Sequence, residues 1–125
     1  MSKELTPKEK AAFESNPAFA KAVEESKQLL KKPTNDELLE LYGLYKPGCD
    51  EDVRIYQDKS LPNHKVPGIF DLAAKYKLKA WEKVLEDGLT PEQAQERYIA
   101  KVEELKQNYG FDPEKTPEVV GSSRS

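Results

Sequence analysis

Tyr42, Tyr45 and Lys46, read with Lys77 and Tyr98 further along, are the residues whose types and spacing suit chemistry. Tyr42 and Lys46 stand four apart, so a helix places them one above the other on the same face, with Tyr45 one position round. Aromatic faces stack on a flat ring, while an ammonium and phenolic hydroxyls hold phosphate oxygens. The cluster therefore suits a ligand that carries both a base and a phosphate. It also reads as plain packing, with two half-buried tyrosines and Lys46 covering a helix C-terminus. On the hexapeptide Leu41–Lys46 alone, packing is the favoured reading.

Other reactive side chains are sparse. Cys49 and His64 share a polar, acidic stretch, which offers a thiolate no electropositive setting, so a Cys–His nucleophile is disfavoured. Asp50, Glu51 and Asp52 lack the alternating spacing and the glycine of a calcium loop, so no metal site is expected. There is no P-loop, no Gly-x-Ser-x-Gly and a single histidine. No catalytic residue is assigned.

Helices must position the cluster. Residues 1–15 read as a flexible extension in which Thr6-Pro7-Lys8-Glu9 caps a short turn and Phe13 is the one anchor. Asn16-Pro17 starts a first bundle helix, with Phe19, Ala22, Val23, Ser26, Leu29 and Leu30 at helical spacing up to Lys31-Lys32-Pro33. Thr34 with Glu37 is a capping box for a second helix through Leu38, Leu41, Tyr42 and Tyr45, expected to stop at Lys46 before Pro47-Gly48. Residues 47–66 form a long polar connection, a length that marks functional or mobile loops. A third helix follows Pro67-Gly68 through Phe70, Ala74, Lys77, Trp81, Val84 and Leu85. Of its lysines, Lys77 flanks the apolar stripe, while Lys75 and Lys79 read as solvated. Thr90 with Gln93 caps a fourth helix striped by Ala94, Tyr98, Val102, Leu105 and Tyr109, which Gly110 ends. Residues 111–125 read as a disordered tail.

Composition sets the bounds. A chain of 125 residues holds one small core, and 34% charged residues make it a soluble one. A net charge of −3 argues against a nucleic-acid binder, so an anionic ligand needs a local lysine cluster. No apolar run reaches the roughly 20 residues of a membrane span, the N-terminus shows no apolar signal region, and one cysteine excludes an internal disulfide. These features point to a cytoplasmic protein without an integral membrane segment, and a monomer is expected.

From Phe19 to Gly110 the chain resembles the acyl-CoA-binding protein family. The matching stretches are Phe19–Val23, Leu41–Lys46, Pro67–Asp71, Lys77–Trp81 and Ala94–Val102, in the family's order. The resemblance implies an all-α, four-helix up-down-down-up bundle over residues 16–110, with an expanded loop at 47–66. It implies a non-enzymatic carrier and pool former for medium- to long-chain fatty acyl-CoA in fatty acid metabolism and transport, with no cofactor beyond that ligand. Transient contact with a membrane or an enzyme is compatible with it. By resemblance, Tyr42, Lys46 and Lys77 would contact the CoA 3′-phosphate and Tyr45 would stack on adenine. Tyr98 would reach the nucleotide and Lys27 would lie near the phosphates, while Phe19, Val23 and Leu39 would line the acyl route. The chain departs from the family at Pro47, Ala73 and Leu78 and in the length of residues 47–66, which bears on the rim and on acyl-length preference. The alternative is a helical protein-interaction module of the same fold with weakened ligand binding.

Overall fold

The computed structural model describes residues 6–112 and 114. Its helices begin where the capping chemistry places them. Helix α1 (Pro7–Ser15) opens on a reciprocal box between Thr6 and Glu9, and α2 (Pro17–Glu25) on Asn16, whose side chain accepts the Phe19 N–H. The boxes Thr34/Glu37 and Thr90/Gln93 open α3 (Asn35–Gly48) and α5 (Pro91–Tyr109). Asp71 caps α4 (Leu72–Glu86) by accepting the Ala74 N–H at 3.2 Å. Gly110, at φ +81°, ends α5 in a conformation that glycine adopts without strain. Among the described residues there is no strand, only an isolated antiparallel bridge between Leu29 and Phe111. The all-α bundle expected from the sequence is therefore what the structure shows.

Five local expectations are corrected. Residues 7–15 are not a loose extension: α1 packs on α2, buries Ala12 and sets the Phe13 ring 5.6 Å from Phe19. Residues 1–5 lie outside the described part. The first bundle helix stops at Glu25 rather than running to Leu30. There the Ser26 hydroxyl donates to the Val23 carbonyl at 2.7 Å, and residues 28–30 pair with residues 110–112. That pairing fixes Phe111 and Asp112, the start of the tail expected to be disordered; residues 115–125 lie outside the described part. Helix α3 continues past Lys46 through Pro47 to Gly48. A proline in a last turn forfeits only its own donor, and the Cys49 N–H still bonds the Tyr45 carbonyl at 2.9 Å. Finally, Phe70 belongs to no helix and is 92% exposed.

Helix α3 is the shared element, packing on both α4 and α5, while α2 packs on α5. One core holds Phe19, Ala22, Leu29, Leu41, Leu44, Cys49, Tyr98, Val102 and Leu105, with Ala12 of α1 joining it. Buried Gln95 ties three elements together: it accepts from the Asn16 side chain at 2.9 Å and donates to the Gly48 carbonyl at 2.8 Å. Fully buried Trp81 lies outside this cluster. The ring of Tyr56, from the short 3₁₀ turn Val53–Tyr56, meets it edge-on at 5.2 Å. The α3–α4 crossing is tight, since a Cβ on Gly43 would come within 2.7 Å of the Ala80 carbonyl oxygen.

Gly43→Ala tests that crossing. The gain in helix propensity is about 1 kcal/mol at most, whereas driving a methyl into the backbone of a packed helix costs about 1–3 kcal/mol. Urea unfolding should show net destabilisation for Gly43→Ala. No such clash arises at Gly68, where a Cβ meets nothing within 4 Å.

Candidate functional site

The first turns of α3 and α4 leave a cleft between them of about 290 Å³, lined by Asn35, Leu38, Leu39, Tyr42, Ala73, Tyr76 and Lys77. Its walls are mostly carbon, and its charge lies at the Tyr42 end. The Lys77 ammonium stands 5.4 Å from the centre of the Tyr42 ring. The Lys46 ammonium, one turn along α3, stands 5.7 Å from the same ring and 5.8 Å from that of Tyr56. One phenol thus has two cations against it, an arrangement its ring quadrupole supports.

Lys46 is partly buried and paired, with Glu51 Oε2 3.2 Å away. Burial alone disfavours its charge, but Glu51, Tyr56 and Tyr42 together outweigh this and hold its pKa above the ordinary lysine value. Burial also raises the Tyr42 pKa, against the pull of Lys46, so the phenol keeps its proton. Lys77 is exposed. The arrangement presents an ammonium in water and a second one masked by a carboxylate, at the rim of an apolar cleft. Such a rim fits an anion with an apolar extension.

Tyr45 and Tyr98 lie in a different environment, an aromatic cluster with Phe19 and Phe13. Phe19 meets Tyr98 edge-on at 5.3 Å and Tyr45 at 5.9 Å, with Tyr45 and Tyr98 6.1 Å apart. The Tyr98 hydroxyl bonds Ser26 Oγ at 3.3 Å, and burial raises its pKa. Burial and the carboxylate of Glu9 drive the Tyr45 pKa far up, so Tyr45 is a permanent donor to Glu9 Oε2. The other oxygen of that carboxylate, Oε1, accepts the Thr6 N–H at 2.9 Å. One carboxylate therefore both caps α1 and holds Tyr45.

The residues singled out in the sequence divide accordingly. Tyr42, Leu39, Lys46 and Lys77 meet at the α3–α4 cleft. Phe19, Tyr45 and Tyr98 share the aromatic cluster, and half-buried Val23 packs against the same core. Lys27 is exposed in the turn after α2. Lys75 is only half-exposed and donates to the Ile69 carbonyl at 3.1 Å, while Lys79 is exposed. Three contributors escaped the sequence reading. Tyr56 sits within the long polar connection, Glu51 stands beside two other acids, and Glu9 reads only as a capping residue. Cys49 is buried, with its thiol pushed up to about 12 by burial, and His64 is exposed, which leaves no nucleophile pair. Among the described residues no group of His, Cys, Asp or Glu is placed to hold a metal.

The all-α packing, with α3 shared between α4 and α5, defines a small helical bundle, and comparison with known proteins assigns its family. The acyl-CoA-binding protein family profile matches residues 16–102, so α1 precedes the matched span. An acyl-CoA-binding protein of Dictyostelium discoideum is 38% identical over 91 residues, which cover 73% of this chain and 95% of the relative. The crystal structure of acyl-CoA-binding protein 2 from Oryza sativa is similar with a TM-score of 0.54 and 34% identity, covering 74% of this chain and 90% of that one. The chain belongs to the acyl-CoA-binding protein family, and its role is accordingly non-enzymatic. No described helix is long and apolar enough to cross a membrane.

Tyr45→Phe tests the α1 latch. It removes the hydroxyl that donates to buried Glu9 while keeping the ring contacts. Loss of a hydrogen bond to a charged group should destabilise the protein by about 1.5–3 kcal/mol in urea unfolding. An unchanged midpoint would show that the Tyr45–Glu9 bond adds nothing net to the hold on α1.

Proposed function

We propose that the protein binds medium- to long-chain fatty acyl-CoA thioesters non-covalently and serves as a monomeric, cytoplasmic carrier and pool former. The observation that carries this reading is the pairing of two ammonium groups on Tyr42 with an apolar cleft immediately beside them. A phosphorylated head and an aliphatic tail need those two surfaces next to each other. Lys46 and Lys77 take the 3′-phosphate with the Tyr42 hydroxyl, Tyr45 and Tyr98 serve the nucleotide from the aromatic side, and Lys27 lies toward the remaining phosphates. Leu39 offers apolar surface to the acyl chain from the cleft and half-buried Val23 from the α2 side, while Phe19, fully buried, backs that route from within the core. Chemical transformation of the ligand has no part in this reading. Were palmitoyl-CoA not to bind, by titration at two temperatures, the protein-interaction module of the same fold would be the reading to keep.

The lysine assignment is tested by calorimetry with palmitoyl-CoA and its 3′-dephospho analogue. Lys46→Ala and Lys77→Ala should each weaken palmitoyl-CoA binding by about 1.5–3 kcal/mol and affect the analogue much less. Exposed Lys79→Ala should leave both affinities unchanged. Glu51→Gln should strengthen palmitoyl-CoA binding several-fold, because the carboxylate on Lys46 must yield to the phosphate. A loss in Glu51→Gln would show that Glu51 positions Lys46 rather than competing for it.

Chain length gives a second test. Each buried methylene is worth about 0.8 kcal/mol, so palmitoyl-CoA should bind more tightly than octanoyl-CoA by up to about 6 kcal/mol, less the lost rotational freedom. Equal calorimetric affinities would mean that the tail stays in water.

A further inference from the structure

Beside the cleft, the segment that leads into α4 exposes more apolar surface than a small monomer usually leaves in water. Ile69 is 73% exposed, Phe70 92%, Leu72 58% and Tyr76 54%. Leu72 and Tyr76 stand four apart on α4 and so share one face, which prolongs the Ile69–Phe70 tip along the helix. Neither tip residue is a strained outlier waiting to fold inward. The turn is held by the Asp71 N–H bond to the Gly68 carbonyl at 3.1 Å and by the Lys75 ammonium on the Ile69 carbonyl.

Charge identifies what covers this tip. Residues 65–79 contain four lysines (Lys65, Lys75, Lys77 and Lys79) against one aspartate, a net of +3 within a chain of net −3. The aspartate, Asp71, is occupied as the α4 cap. Lys79 lies three beyond Tyr76 and four beyond Lys75, so cations flank the same face as the apolar residues. An apolar tip ringed by lysines on an otherwise acidic protein is complementary to an anionic lipid surface, where the aromatic and aliphatic groups enter the acyl boundary and the ammonium groups meet the headgroups. A second copy of the chain would instead set +3 against +3. We propose that residues 65–79, with Ile69 and Phe70 at the tip, dock reversibly on anionic membrane surfaces. Tyr76 and Lys77 also line the cleft, so docking is measured on the protein without added acyl-CoA.

The experiment is co-sedimentation of the full chain with vesicles of phosphatidylcholine alone and with phosphatidylserine added, at low and high salt. Binding is expected on the mixed vesicles, with weak or no binding to phosphatidylcholine alone and a loss on raising the salt. The double variant Ile69→Asp with Phe70→Asp, both exposed and therefore tolerated by the fold, should reduce partitioning by roughly tenfold or more, and Lys65→Gln with Lys79→Gln by several-fold. Circular dichroism confirms that each variant retains its helices. Absence of binding to mixed vesicles overturns the proposal, as does a double variant that binds as well as the unmodified chain. A concentration-dependent dimer that the same double variant abolishes would assign the tip to self-association and overturn it too.

Discussion

Helix α3 has to satisfy two partners at once, and the rest of the molecule follows from how it does so. Leu41 and Leu44 belong to the core shared with α2 and α5, while Gly43 faces the α4 backbone. Gly48 extends the constraint, since a Cβ there would meet the Phe19 ring at 3.2 Å and the Gln95 side chain at 3.3 Å. The α3 sequence must therefore be large on one side and absent on the other. Leu38, Leu39 and Tyr42 remain, on the stretch where α3 and α4 separate, and these three residues make one wall of the cleft.

The electrostatic character of the site is local, against the sign of the whole chain. An acidic protein repels an anion at long range, so attraction has to come from cations held within a few ångströms of it. Lys46 is placed by the helix, kept charged by Glu51 and seated between the Tyr42 and Tyr56 rings. The connection between α3 and α4 supplies both Glu51 and Tyr56. A segment without regular helix beyond one 3₁₀ turn thus furnishes part of the lysine's surroundings.

Where the chain was legible, local chemistry decided the outcome. The boxes at Thr34 and Thr90 and the cap at Asn16 each satisfy orphan N–H groups within a few residues, so they can be read without knowing the fold. The four-apart spacing of Tyr42 and Lys46 likewise put the ammonium on its ring. Where the reading failed, a distant partner decided. Leu29 has helical spacing after Val23, but pairing with Phe111 pulls it out of α2. The Thr6–Glu9 box was visible, yet nothing near it in sequence announces that Glu9 would also hold Tyr45 or that Phe13 would meet Phe19. Tyr56 gained its place only through Trp81 and Lys46, which lie in other elements.

The contact of Gly43 with Ala80 lies at one end of the cleft, and the other lining residues sit toward the starts of both helices. Such a layout is that of shears, with the glycine as fulcrum and the opening segments of α3 and α4 as blades. From Gly43 back to Asn35 a helix spans about 12 Å, so a ten-degree swing about the fulcrum moves the blade tip by about 2 Å. On α3 that swing is opposed by the Tyr109 hydroxyl donating to Glu37 at 2.6 Å and by Lys101 beside Glu40 at 3.4 Å, so opening of the mouth near Asn35 and Ala73 falls to the α4 blade. Tyr42 lies next to the fulcrum and scarcely travels. The charged end of the cleft is a fixed seat, and the apolar end has adjustable reach.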